Sequence, residues 1–154
     1  MDDQIKNKIL QIRENWRNSS LLVELLAEWD EKYSKYNDEI EDFLGPQLKK
    51  TWQEIAGKES SHTVKDLVRL LLKDFHDAEY EMEEIEDGIR IITLKCPIAE
   101  VYSSINRQNY GQLFHCFGDP YVCQGFNPKI KYEKKKSLMS GDEHCEHYYL
   151  QKQE

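Results

Sequence analysis

The apolar residues of the first third of the chain recur at helical spacing. Ile5, Ile9, Ile12 and Trp16 fall three or four positions apart, and so do Leu22, Leu25, Leu26 and Trp29. That period places them on one face of a helix. Tyr33, Tyr36, Ile40, Phe43 and Leu44 continue it, so residues 3 to 56 read as helix with a break at Asn18-Ser19-Ser20, where Ser20 would act as a cap. Gly45-Pro46 is expected to stop one helix and start another, which carries Leu48, Trp52 and Ile55 and ends at Gly57-Lys58. A further helix opens at Thr63. Thr63 followed by Asp66 resembles a capping box with Asp in place of Glu, and Val64, Leu67, Val68, Leu71 and Leu72 form its apolar stripe.

The period then changes. The acidic segment from Tyr80 to Glu86 is ambiguous, but Glu86-Asp87-Gly88-Ile89 reads as a hairpin turn entering the β-branched strand Ile89 to Leu94. After Cys96-Pro97 the helical spacing returns, with Tyr110, Leu113, Phe114 and Phe117 on one face. Pro120 cannot sit mid-helix without a kink, so Asp119 is expected as the cap of a restarted helix with Pro120 at its first position. Two strands, near Lys129 to Lys135 and Glu143 to Leu150, close the chain around a turn at Ser140-Gly141-Asp142. The pattern predicts an α+β fold. N-terminal helices precede a small antiparallel sheet of about four strands in ββαββ-like order, covered on one side by helices. The chain reads as a single domain over residues 1–154, with a helical part to residue 56 and an α+β part from residue 57.

Composition narrows the partners. The chain is 154 residues long with 39% hydrophobic and 32% charged residues, which suits a globular domain. A net charge of -8 argues against nucleic acid and against an anionic membrane surface, both of which need a basic face. No run approaches the ~18 apolar residues of a spanning helix. The start, Met1-Asp2-Asp3-Gln4, lacks the layout of a signal peptide. A cytoplasmic location is therefore expected. In that compartment the 4 cysteines stay reduced and point to metal binding, catalysis or plain burial rather than to disulfides.

The chemistry concentrates in the last third. Cys145 and His147 sit two apart on a predicted strand, so both face the same way and can share a pocket; the alternative is a buried Cys beside a rim His. Cys116, Asp119 and Cys123 would share a stripe on a continuous helix, but a kink at Pro120 would turn Asp119 and Cys123 away from Cys116. A thiol beside a carboxylate and imidazoles can act as nucleophile, metal ligand or neither. Cys96 lies at a strand end, where a sheet fixes functional groups, or is a packing residue. Zinc or iron held by Cys96, Cys116, Cys145 and His147 is conceivable in three dimensions, although no CxxC announces it. Asn127-Pro128 and Gly141-Asp142 fit turns equally well. Lys129, Lys131, Lys134, Lys135 and Lys136 form the one basic patch, either a solvated strand face or an attractor of anions.

In order, Cys96-Pro97, Leu113-Phe114-x-Cys116-x-x-Asp119, Gly125-Phe126-Asn127-Pro128-Lys129-Ile130 and Leu138-Met139-x-Gly141-Asp142-x-x-Cys145-x-His147 resemble the L-2-amino-thiazoline-4-carboxylic acid hydrolase family. The resemblance runs from about Trp52 to Tyr149 and is densest after Cys96. Pro120 directly after Asp119 departs from the family's pattern, and Cys123 is peculiar to this chain. The resemblance implies hydrolytic opening of a small cyclic amidine-like ring bearing a carboxylate. Its matching positions are Cys96, Cys116, Asp119, Asn127, Asp142, Cys145 and His147.

Three readings follow. In the first, a small cytosolic hydrolase breaks a ring C–N or C–S bond. Water or the Cys116 thiolate attacks, Asp119 or His147 is the base, and Asn127 and His147 stabilise the intermediate. Arg90, Lys129 and Lys131 are the cations offered to the substrate carboxylate. In the second, a non-catalytic module binds a metal or small molecule through Cys96, Cys116, Cys145 and His147, a reading kept open by the family's distant similarity to small-molecule-sensing domains. In the third, a helical interaction protein self-associates as a homo-oligomer through its amphipathic N-terminus while its cysteines are simply buried.

Overall fold

The structure, a computed structural model, describes residues 1–75 and 77–153. Two N-terminal helices, α1 (Asp3–Glu14) and α2 (Ser19–Lys32), lead through a 3-10 segment, Ser34–Glu39, into the long helix α3 (Ile40–Ala56). Helix α4 (Val64–Lys73) precedes the hairpin of β1 (Glu79–Ile85) and β2 (Gly88–Lys95). Helix α5 (Pro97–Ser104), the short α6 (Gln108–Gly111), a π-turn over Gln112–Cys116 and α7 (Asp119–Phe126) follow. Strands β3 (Ile130–Lys136) and β4 (Cys145–Gln151) complete an antiparallel sheet in the order β1-β2-β4-β3. The α+β class and the ββαββ-like order are as the sequence predicts.

Helices cover one face of that sheet. Val64, Leu67 and Val68 of α4 and Val122, Cys123 and Phe126 of α7 bury against Ile89, Ile91, Ile130 and Tyr149. The other face carries Arg90, which pairs with Glu146 at 2.7 Å and Glu83 at 3.2 Å. A second apolar cluster joins Ile5, Ile9 and Ile12 of α1, Leu22, Leu26 and Trp29 of α2, and Tyr102, Tyr110 and Phe114. Removing this much apolar surface from water is the main force that closes both clusters.

Three local expectations need correction. Gly45-Pro46 does not end a helix, because α3 runs unbroken through Pro46. Proline disfavours the helical conformation of the preceding residue chiefly through that residue's Cβ, and Gly45 has none. The same missing Cβ leaves room for the Tyr121 ring of α7, which a side chain at Gly45 would strike. The N-cap of α2 is Asn18, whose side chain accepts from the Leu21 amide at 3.1 Å, not Ser20. Gly118 caps α7, so Asp119 becomes its first residue and Pro120 its second. Elsewhere the Thr63–Asp66 capping box forms in full, and the ambiguous acidic segment is edge strand β1.

Candidate active site

The register of the sheet sets three rows of side chains on its covered face. Thr93 pairs with Cys145, Ile91 with His147, and Ile89 with Tyr149 across β2 and β4. Lys134 pairs with His147, and Tyr132 with Tyr149, across β3 and β4. The period of two puts Cys145, His147 and Tyr149 on one face, where they meet the start of α7 and the π-turn.

A cavity of about 240 Å³ opens there, lined by residues of both apolar clusters. Its polar wall holds Cys96, Cys116, Asp119, Lys134, Cys145 and His147. Leu71, Leu72, Phe75 and Ile91 form the apolar wall. Three elements thus deliver three thiols to one cavity. Cys96 caps α5, Cys116 ends the π-turn and Cys145 opens β4. The break at Phe117-Gly118 lets Asp119 face the same space as Cys116, so Pro120 does not turn it away.

Asp119 is held by two tyrosines. The Tyr149 hydroxyl donates to Oδ1 at 3.0 Å and that of Tyr132 to Oδ2 at 3.3 Å. The Tyr132 hydroxyl also lies 2.7 Å from His147 Nδ1. Burial, reinforced by Asp119, raises the pKa of both phenols, so they stay protonated donors. Burial lowers the pKa of His147 against the pull of Asp119, which keeps the imidazole neutral near neutral pH. Its Nδ1 is engaged with Tyr132, leaving Nε2 without a hydrogen bond among the described residues.

Burial holds two of the cavity thiols in their protonated form. Burial pushes Cys116 up to about 12, opposed by Lys134. Burial also raises Cys145, opposed by the Leu138 amide that donates to its Sγ at 3.3 Å. No thiol hydrogen-bonds to His147 among the described residues. Lys134 donates to the Cys116 carbonyl at 3.2 Å. From α1, Arg13 donates through Nη1 to the Phe114 carbonyl and also lines the cavity. His115, close to Arg13 and 3.1 Å from the Tyr102 hydroxyl, is pushed down to about 3 by burial and by Arg13. The cavity therefore carries two basic side chains, Arg13 and Lys134, against the one carboxylate of Asp119. In a chain of net charge -8 this is a local inversion of sign.

The other candidate residues lie elsewhere. Asn127 donates to the His62 carbonyl at 2.7 Å and accepts from the Lys129 amide at 3.0 Å, and it does not line the cavity. Asp142 accepts from the Ser137 amide at 2.8 Å and braces the turn before β4. Cys123 is a core residue, 1% exposed. Arg90 belongs to the opposite sheet face, and Lys131 pairs with Glu133 at 2.7 Å. Lys129 is not among the lining residues. Among the described residues no three His, Cys, Asp or Glu side chains are placed to hold a metal ion.

Tyr132, Lys134, Tyr149, His115 and Arg13 are lining or network residues that the sequence pattern does not single out. A signal existed for some of them: Tyr149 extends the alternation Cys145-x-His147, and Tyr132-x-Lys134 alternates in the same sense on β3. Arg13 sits on the polar margin of an amphipathic helix and carries no such mark.

The cavity thus sets a carboxylate–tyrosine–imidazole network and two basic side chains against an apolar wall, on one face of an antiparallel sheet. The family model for L-2-amino-thiazoline-4-carboxylic acid hydrolase matches residues 19–149, and the chain belongs to that family. The match begins well upstream of Trp52. No curated protein and no solved structure matches the chain. Among the described residues no helix is long and apolar enough to cross a membrane.

Proposed function

We propose that the protein is a hydrolase that opens a small cyclic amidine bearing a carboxylate, with L-2-amino-thiazoline-4-carboxylic acid as the model substrate. The observation that carries this reading is the Asp119–Tyr132–His147 network in a cationic cavity. Each Asp119 oxygen that accepts one tyrosine hydroxyl keeps a further acceptor site for an amidine N–H. That pairing holds the ring with its amidine carbon toward His147. Water adds to that carbon while His147 Nε2 takes its proton. The tetrahedral carbon then collapses to a carbonyl as its hydroxyl proton passes to the amidine nitrogen, a ring C–S or C–N bond breaks, and the proton on His147 passes to the departing atom. Lys134, beside His147 in the sheet, stabilises negative charge on that atom.

Water is the preferred nucleophile over Cys116. A thiol raised to about 12 and lacking an imidazole partner contributes almost no thiolate at neutral pH. A reducing cytosolic setting suits the 4 cysteines, all of them free. The apolar wall supports a second reading, a binding module without turnover. The test is turnover of L-2-amino-thiazoline-4-carboxylate. His147→Gln is expected to lower kcat by about 10²–10⁴-fold, the usual contribution of a positioned base, Asp119→Asn to lower it as well, and Cys116→Ser to retain most of it. Full activity in both His147→Gln and Asp119→Asn would overturn the hydrolytic mechanism, and saturable binding with no turnover in wild type would favour the binding module.

A further inference from the structure

The chain has five arginines by sequence, and four of them are ion-paired: Arg17 with Asp77, Arg69 with Glu59, Arg90 with Glu83 and Glu146, and Arg107 with Asp30. Arg13 is the exception among the described residues. Its helix is anchored by Ile9 and Ile12, both wholly buried, which fixes where the side chain enters the cavity wall. One guanidinium N–H is spent on the Phe114 carbonyl, and the group lies 5.8 Å from the centre of the Phe117 ring. Its imidazole neighbour His115 is neutral and offers no compensating charge. A half-buried guanidinium without a carboxylate is an unfavourable arrangement unless an anion completes it. Guanidinium has five donors in a planar fork that matches a carboxylate, so ample capacity remains after the Phe114 bond.

We propose that Arg13 binds the carboxylate of the ligand and so sets which molecules the cavity accepts. This rests on the reading of the cavity as a site for a small ring carboxylate. It replaces Arg90, Lys129 and Lys131 in that role, and it places the anchor upstream of residues 19–149, outside the segment the family model matches. Arg13 and Lys134 grip two carbonyls of the same π-turn, Phe114 and Cys116. The turn thus holds one cation toward the carboxylate and the other toward the reacting end. Arg13 is a specificity-determining residue in this arrangement, and Asp119 takes the opposite, amidine end of the ring.

The experiment is calorimetric titration of wild type, Arg13→Gln and Arg13→Lys with 2-amino-thiazoline-4-carboxylate and with 2-amino-thiazoline, which lacks the carboxylate. Wild type should favour the carboxylate compound by about tenfold to a hundredfold, the range of a charge-assisted pair. Arg13→Gln, which keeps a donor for Phe114, should lose that preference while binding the neutral ring unchanged, and Arg13→Lys should restore part of it. An unchanged preference in Arg13→Gln overturns the assignment, as does loss of the preference in Lys134→Gln alone. Binding without turnover in wild type sinks the hydrolase reading and leaves the anchor standing. Wild type that binds neither compound overturns both. A purely structural Arg13 would lower Tm and weaken both ligands equally, which also overturns the proposal.

Discussion

At the scale of single residues, burial holds the imidazoles, the two phenols and the Cys116 and Cys145 thiols in their uncharged forms over a wider pH range than water would. His115 shows this most strongly, because burial and Arg13 move its pKa from 6.5 to about 3. The folded state refuses a proton that the unfolded chain accepts, so the contribution of His115 to stability is complete above pH 6.5 and is lost progressively as the pH falls toward 3. Thermal melts across that range should therefore show a falling Tm, and His115→Gln should flatten the dependence. An unaltered slope in the variant would assign the acid sensitivity to other groups. The thiols, the imidazole and Asp119 stand out in the sequence because their chemistry is unusual wherever it occurs. Tyr132, Tyr149 and Arg13 do not stand out, because Tyr and Arg have many structural uses and only register or burial separates one from another.

Among the elements, the junction of α3 with α7 decides where Asp119 stands. Gly125 lies against the backbone of α3, and a Cβ there would collide with the Lys49 carbonyl and the Trp52 side chain. Gly125→Ala is expected to cost about 1–3 kcal/mol in urea unfolding, since a backbone cannot give way as a side-chain tip can. Gly57→Ala serves as the control, because its Cβ would meet only ordinary contacts at 3.5 Å and the residue already has helical φ. It should fall within about 0.5 kcal/mol of wild type. Equal losses in the two variants would show that helix flexibility, not the close approach, matters. The π-turn at Gln112–Cys116 is the other decisive element, of a kind that recurs at functional sites. Periodicity revealed the helices and the hairpin because amphipathic spacing is a local property. It did not reveal that α3 continues through Pro46, since a Gly-Pro pair also marks the end of one helix and the start of the next.

For the whole molecule, the cavity is the seam between two apolar clusters. The helical cluster supplies Ile98 and Cys116 to its wall, with Arg13 of α1 beside them, and the sheet cluster supplies Ile91, Val122 and Tyr149. A ligand seated there stabilises both, because it binds only the folded arrangement. Hydrogen exchange should slow on addition of a bound carboxylate both in α1 and in β4. Protection confined to β4 would mean that α1 takes no part in the site. The overall architecture was legible in the sequence because apolar periodicity and turn residues agree along most of its length. The position of the cavity was not, because it follows from strand order and from the packing of α1 onto the π-turn.

The wall of that cavity runs from Arg13 to Tyr149, nearly end to end along the chain. A nascent or partly folded polypeptide has no fraction of such a site. The site exists only where β4 lies between β2 and β3, since that strand carries His147 and Tyr149. Recovery of ligand binding after denaturation thus reports assembly of the whole fold rather than of any one part.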